Sequence, residues 1–81
     1  MDRTVYANLM LKRLAKASKR DGCVVFEKLE FHQKSIDCTV DAAENTFTLC
    51  LPNHKPIRAK GLTEAVRQLS ILLEVAHYVH E

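Results

Sequence analysis

The chain has no tryptophan, only two glycines and two prolines, and three cysteines without close spacing among its 81 residues. Each scarcity removes a class of protein. So little glycine and proline excludes a collagen-like or low-complexity chain and fits a few regular elements joined by short turns. An odd number of unpaired cysteines argues against a disulfide framework and for a reducing, cytoplasmic setting. No apolar run approaches the roughly 20 residues that cross a bilayer, and residues 1–20 lack the apolar stretch of a secretory signal, so no membrane partner is expected. Aromatics are confined to Tyr6, Phe26, Phe31, Phe47 and Tyr78, which leaves aliphatic side chains to fill most of a core.

What remains is enough for one small domain, spanning residues 1–81. At 47% hydrophobic and 27% charged residues, the chain is globular rather than disordered. Its size allows independent folding with modest stability.

The charge is lopsided. Residues 1–20 carry Arg3, Lys12, Arg13, Lys16, Lys19 and Arg20 against the single acid Asp2, whereas the rest of the chain is mildly acidic. A basic segment on an acidic body suits an anionic partner or a solvated face. Basic, nearly acid-free composition also matches a mitochondrial presequence, but the segment has an apolar side that reads as an integral part of the fold.

That apolar side is Ala7, Met10, Leu11, Leu14, Ala15 and Ala17, spaced for a helix from Thr4 to about Lys19. Asp2 or Thr4 can cap its start, and Asp21-Gly22 can end it. Three strands are expected next. Cys23 to His32 is rich in β-branched and aromatic residues but alternates imperfectly: Val24 and Phe26 point one way, Leu29 and Phe31 the other. A bulge near Glu27-Lys28, or partial cover of both faces, would account for that. Ile36, Cys38 and Val40, then Phe47, Leu49 and Leu51, alternate cleanly with polar residues, and a short turn at residues 42–45 makes them a hairpin.

A second turn at residues 52–56 leads to Ile57-Arg58-Ala59, a candidate short edge strand. The second helix is expected from Leu62 to about His80, with Thr63 as its cap. Leu62, Ala65, Val66, Leu69, Leu72, Leu73, Ala76 and His80 repeat at three and four, and Ile71, Val75 and Tyr78 widen the stripe beyond what one face of a small sheet needs. The fold class is therefore α+β, in the order α-β-β-β-(β)-α. Its antiparallel sheet of three to four strands has both helices on one face and polar residues on the other.

Residue types that carry chemistry are present but not grouped for it. His77 and His80 could reach one metal ion but lack a defined third ligand, and Cys50 with His54 forms at most half a zinc site. Cys38 reads as a core residue, and Cys23 has no defined partner. A catalytic thiol needs a base and an oxyanion site, and the sequence supplies neither. The carboxylate pairs Glu27/Glu30 and Asp37/Asp41 lie on half-exposed strands, the ordinary place for charge. No catalytic residue, metal or cofactor is expected.

Lys12, Arg13, Lys16, Lys19 and Arg20 span about 120° of helix surface at 100° per residue. Lys55, Arg58 and Lys60 add basic residues just before the second helix, whose amino terminus favours anions. The α-β-β-β-α order with basic residues entering the last helix resembles the double-stranded RNA-binding domain, and the resemblance implies a phosphate grip for that cluster. The chain departs from that family in its short first β-turn, His32-Gln33-Lys34-Ser35, and in its diluted cluster, so the family's binding residues are not carried over.

The leading expectation is a small non-enzymatic protein-interaction or regulatory module, self-associating or binding another protein. The contact would fall on the C-terminal helix at Ile71, Val75, Tyr78 and Val79. The alternative is a nucleic-acid-binding module using Lys12, Arg13, Lys16, Lys19 and Arg20 together with Lys55, Arg58 and Lys60. It requires both basic groups on one side of the fold.

Overall fold

The computed structural model describes residues 2–79, and their side chains as far as Glu74. Helix α1 spans Arg3–Asp21. Asp2 caps it by accepting a hydrogen bond from the Thr4 N–H at 3.2 Å, and Gly22 ends it. Gly22 sits in the left-handed region with φ 67° and donates its N–H to the Ser18 carbonyl, a conformation that glycine reaches without a Cβ penalty. The helix therefore runs two residues past the expected Lys19.

Four strands follow: β1 (Val25–Phe31), β2 (Lys34–Asp41), β3 (Thr46–Cys50) and β4 (Ile57–Lys60). They form one antiparallel sheet in the order β1-β2-β3-β4. The candidate edge strand is thus real and one residue longer than Ile57–Ala59.

β1 corrects the expectation of a bulge or of double cover. Its register with β2 is unbroken from Val25↔Val40 to Phe31↔Lys34. Glu27 takes its turn on the helix side, where Arg13 from α1 meets its carboxylate in an ion pair. Phe26 falls on the open face and stays there, exposed. The β1–β2 connection is a two-residue turn at His32 and Gln33, both with positive φ (50° and 67°). That is the type I′ geometry, whose twist matches the twist of the flanking strands.

Helix α2 spans Leu62–Val79. Because it begins at Leu62, Thr63 lies inside the first turn and is not the cap. Gly61, at φ 84°, precedes the helix and its carbonyl accepts the Ala65 N–H.

Both helices pack on one face of the sheet. α1 lies over β1 and β2, and α2 over β4 and the inner strands. The Arg3–Glu74 ion pair ties the start of α1 to the later turns of α2, so the helices run antiparallel. The core is aliphatic, as the shortage of aromatics requires: Leu11 and Leu14 of α1, Leu29, Ile36, Val40 and Leu49 of the strands, and Leu69 and Leu73 of α2 are buried. Each such side chain contributes about 1.5–3 kcal/mol on burial. The excess apolar width of α2 is partly absorbed by α1, since Leu69, Leu72 and Leu73 are all buried.

Ser18 joins three elements at one end of the molecule. Its buried hydroxyl donates to the Cys23 carbonyl (2.6 Å) and accepts from the Ala42 N–H (2.9 Å). The end of α1, the start of β1 and the β2–β3 turn are thereby locked together. No helix among the described residues is long and apolar enough to cross a membrane.

Candidate functional site

The basic stripe of α1 is solvent-facing throughout, with Lys12, Arg13, Lys16, Lys19 and Arg20 all exposed. Two of its members have partners: Arg13 pairs with Glu27, and Arg20 with Asp21 at 3.0 Å. Among the described residues Lys12, Lys16 and Lys19 make no ion pair.

The second basic group does not act as one cluster. Lys55 lies in the β3–β4 turn, at one end of the sheet, while Lys60 lies at the other end and donates to the Glu44 carbonyl at 2.9 Å. Strand alternation turns Arg58 and Lys60 away from buried Ala59, onto the face opposite the helices. The stripe and the Arg58–Lys60 pair therefore occupy different layers. They come nearest at the end where Lys19 and Lys60 flank two adjoining depressions of about 580 and 450 Å3, which share Val24 and Asp41 in their walls.

The open sheet face is the larger feature, and only part of it was expected. Its rows follow the register. Phe26, Thr39, Thr48 and Arg58 stand side by side across the sheet, and Asp41, Thr46 and Lys60 form the next row. Lys28, Asp37 and Cys50 form a third. Phe26 is 64% exposed and Val24, two residues before it, 53%. On this face Lys28, Arg58 and Lys60 meet Glu30, Asp37, Asp41 and Glu44, so its cations are outnumbered and its field does not favour a polyanion. The face has an apolar corner at β1 and a mixed polar remainder. Sequence reasoning missed that corner, although Val24 and Phe26 share their parity with Lys28 and Glu30, which was the available signal.

The expected contact residues of α2 fare differently. Ile71 is exposed at 45%. The side chains of Val75, Tyr78 and Val79 lie outside the described residues, as do those of His77 and His80. On α1, Val5 and Leu9 are exposed one turn apart, on the same outer face as Lys12 and Lys16.

Among the described residues the thiols and carboxylates are dispersed over the fold. Burial pushes the Cys38 thiol up to about 12, so it stays protonated and unreactive near neutral pH. Cys50 stands on the open face and His54 in the exposed β3–β4 turn, and among the described residues no three His, Cys, Asp or Glu side chains converge. Glu64 is held below its usual range by hydrogen bonds from Arg67 and Gln68, a local helix-surface arrangement. Tyr6 is raised, chiefly by burial, against the opposing effect of the Glu30 backbone amide beside its hydroxyl.

Compared with protein-family models, with curated proteins and with solved structures, the chain finds no match. The arrangement of its own residues is therefore the whole basis for a functional reading.

Proposed function

We propose that the chain is a small non-enzymatic interaction module that binds protein, with its contact centred on the open sheet face at Val24 and Phe26. One observation carries this reading: two large apolar side chains stand exposed as neighbours on a face otherwise made of hydroxyl and charged groups and the Cys50 thiol. An apolar corner at the β1 edge, bordered by Thr39 and then by the polar residues of the inner strands, has the composition of a protein contact with an apolar centre and a polar margin. The surface differs from the expected one on α2, of which exposed Ile71 is the described part.

The nucleic-acid reading keeps one specific support, the three lysines of α1 without ion pairs. Against it, Arg58 and Lys60 lie on the other layer among carboxylates, so the two basic groups do not make one phosphate-binding surface.

The test is a peptide-library selection on the immobilised chain, followed by titration of the recovered peptides against wild type and Phe26→Ser. Peptides that bind wild type and lose at least tenfold in affinity for Phe26→Ser support the proposal. Failure to enrich any peptide, or binding indifferent to Phe26, overturns it. A parallel anisotropy titration with a short duplex RNA addresses the alternative: saturable, salt-sensitive binding lost in Lys12→Glu/Lys16→Glu/Arg20→Glu would move the function to α1.

A further inference from the structure

We infer that the module's first partner is a second copy of itself, joined by antiparallel pairing of β1 with β1 about a two-fold axis at Leu29. The inference rests on the reading of the chain as a protein-binding module, but it concerns the sheet edge, not the open face.

β1 is an edge strand, and an edge carries unpaired N–H and C=O groups. Which residues present them follows from the turn. In a two-residue hairpin the flanking pair, here Phe31 and Lys34, is mutually hydrogen-bonded, and such pairs alternate along the ladder. Leu29, Glu27 and Val25 thus bond to β2, and Phe26, Lys28 and Glu30 direct their backbone groups off the sheet. The Tyr6 hydroxyl beside the Glu30 amide agrees with this phase.

A two-fold axis perpendicular to the sheet sets each residue i opposite the residue at equal distance from the centre, so the register decides the charges. Centres at Lys28 or Glu30 oppose like charges directly, and a centre at Glu27, whose carboxylate Arg13 already engages, leaves Lys28 and Glu30 facing Phe26 and Val24 with no opposite charge. A centre at Phe26 pairs only the first part of the strand. The centre at Leu29 sets Lys28 opposite Glu30 of the second copy, twice, and aligns the outward backbone groups of both residues. Lys28 then lies between Asp37 of its own β2 and that Glu30.

The other edge cannot do this. β4 has four residues, and every self-pairing that uses more than one of them sets Arg58 or Lys60 against itself or the other. Pairing β1 with β4 of another copy would propagate without closing.

The helix layer fits the same arrangement. α1 lies over β1 and β2, so strand spacing of about 4.8 Å puts the two α1 axes roughly 10 Å apart, the spacing of packed helices. The flank of α1 above β1 carries Tyr6 and Met10, partly buried, with exposed Leu9 at its outer margin. Across the axis Glu27 faces Phe31, which brings the Arg13–Glu27 pair of one copy to the Tyr6–Phe31 stack of the other. The product is an eight-stranded sheet whose two Phe26 anchors stand on one continuous open face, about 20 Å apart at 3.3–3.4 Å per residue.

Sedimentation equilibrium of the full chain from low micromolar to millimolar concentration tests this, with circular dichroism confirming that each variant folds. Wild type should reach a dimer. Lys28→Glu and Glu30→Lys should each weaken it about tenfold or more, since each turns two attractive cross-strand pairs repulsive. The double reversal Lys28→Glu/Glu30→Lys should restore it, and Ile71→Ser, on exposed α2 surface away from β1, should leave it within about threefold of wild type. A wild-type monomer at every concentration, single reversals without effect, or a double reversal that fails to restore the dimer overturns the proposal. So does a dimer lost in Ile71→Ser but not in Lys28→Glu. The peptide selection on the open face reads out separately, so either proposal can fail alone.

Discussion

Replacing Ser18 by alanine removes one oxygen atom and, by the geometry, two hydrogen bonds. The hydroxyl donates to the Cys23 carbonyl and accepts from the Ala42 N–H, and the residue is buried at 2% exposure. Cys23 itself is exposed and Ala42 partly so, so water can reach part of what is left behind. Each lost bond then costs about 1 kcal/mol, below the full penalty for a buried orphan. Alanine returns roughly 0.5 kcal/mol through its higher helix propensity. The net is about 1.5 kcal/mol, a large share of the stability of so small a domain. For a domain of this size that lowers Tm by roughly 6–12 °C. Thermal melts of wild type, Ser18→Ala and the exposed control Lys16→Ala measure it, the control staying within about 0.5 kcal/mol. Native-state hydrogen exchange adds a local readout: the Ala42 amide should lose protection beyond the global change. A Tm within about 2 °C of wild type, or an Ala42 amide no less protected, would refute the claim that this hydroxyl ties α1 to the β2–β3 turn.

Backbone conformation gives opposite expectations at two turns. Gly22→Ala places a Cβ at φ 67° with no neighbour to clash, so the loss should be about 1 kcal/mol from conformation alone, whereas Gln33→Gly should relieve a similar strain at φ 67° and raise Tm by a few degrees. Thiol labelling at pH 8 should modify exposed Cys23 first, Cys50 more slowly and buried Cys38 only on unfolding. Because burial pushes the Cys38 thiol up to about 12 in the fold, above an ordinary thiol, its contribution is intact below the unfolded pKa. It falls as pH rises through that window, and Cys38→Ala should remove this part of the alkaline loss, seen in denaturant midpoints from pH 8 to 11.

How much of the fold could be read from the chain depended on the range of the forces involved. α1 and its ends were legible because capping by Asp2 and termination by Gly22 are local backbone chemistry. β2 and β3 were legible because each has one buried face, which writes a period of two into the sequence. β1 was legible as a strand, with Val24 and Phe26 on one side and Leu29 and Phe31 on the other. Its unbroken register was not, since Glu27 on its helix side is satisfied by Arg13, fourteen residues away on another element. An ion pair between elements leaves no trace in a local pattern, and the carboxylate therefore read as a fault in the strand. Thr63 was misplaced for a similar reason: the start of α2 is set by the positive φ of Gly61 after β4, not by the best capping side chain nearby.

The candidate surfaces were legible as residues and illegible as neighbours. Charge counted along the chain makes residues 1–20 the dominant feature, because it adds side chains that share an element. The fold adds side chains that share a face. Once β4 is antiparallel to β3, Arg58 and Lys60 join Asp41 and Glu44 rather than the lysines of α1, and the second basic group dissolves into a mixed surface. The same pairing logic gives β1 its importance. Its three charges, Glu27, Lys28 and Glu30, look in isolation like the usual protection of an edge strand against association. Set against a copy of itself about Leu29, the two on the open side become complementary, and the third is already neutralised from α1. A pattern that repels its copy in the registers centred on Lys28 and Glu30, offers no opposite charge in the one centred on Glu27, and attracts it in the one centred on Leu29, selects a closed dimer while guarding against open-ended growth. That is why the double charge reversal, rather than either single one, is the decisive variant.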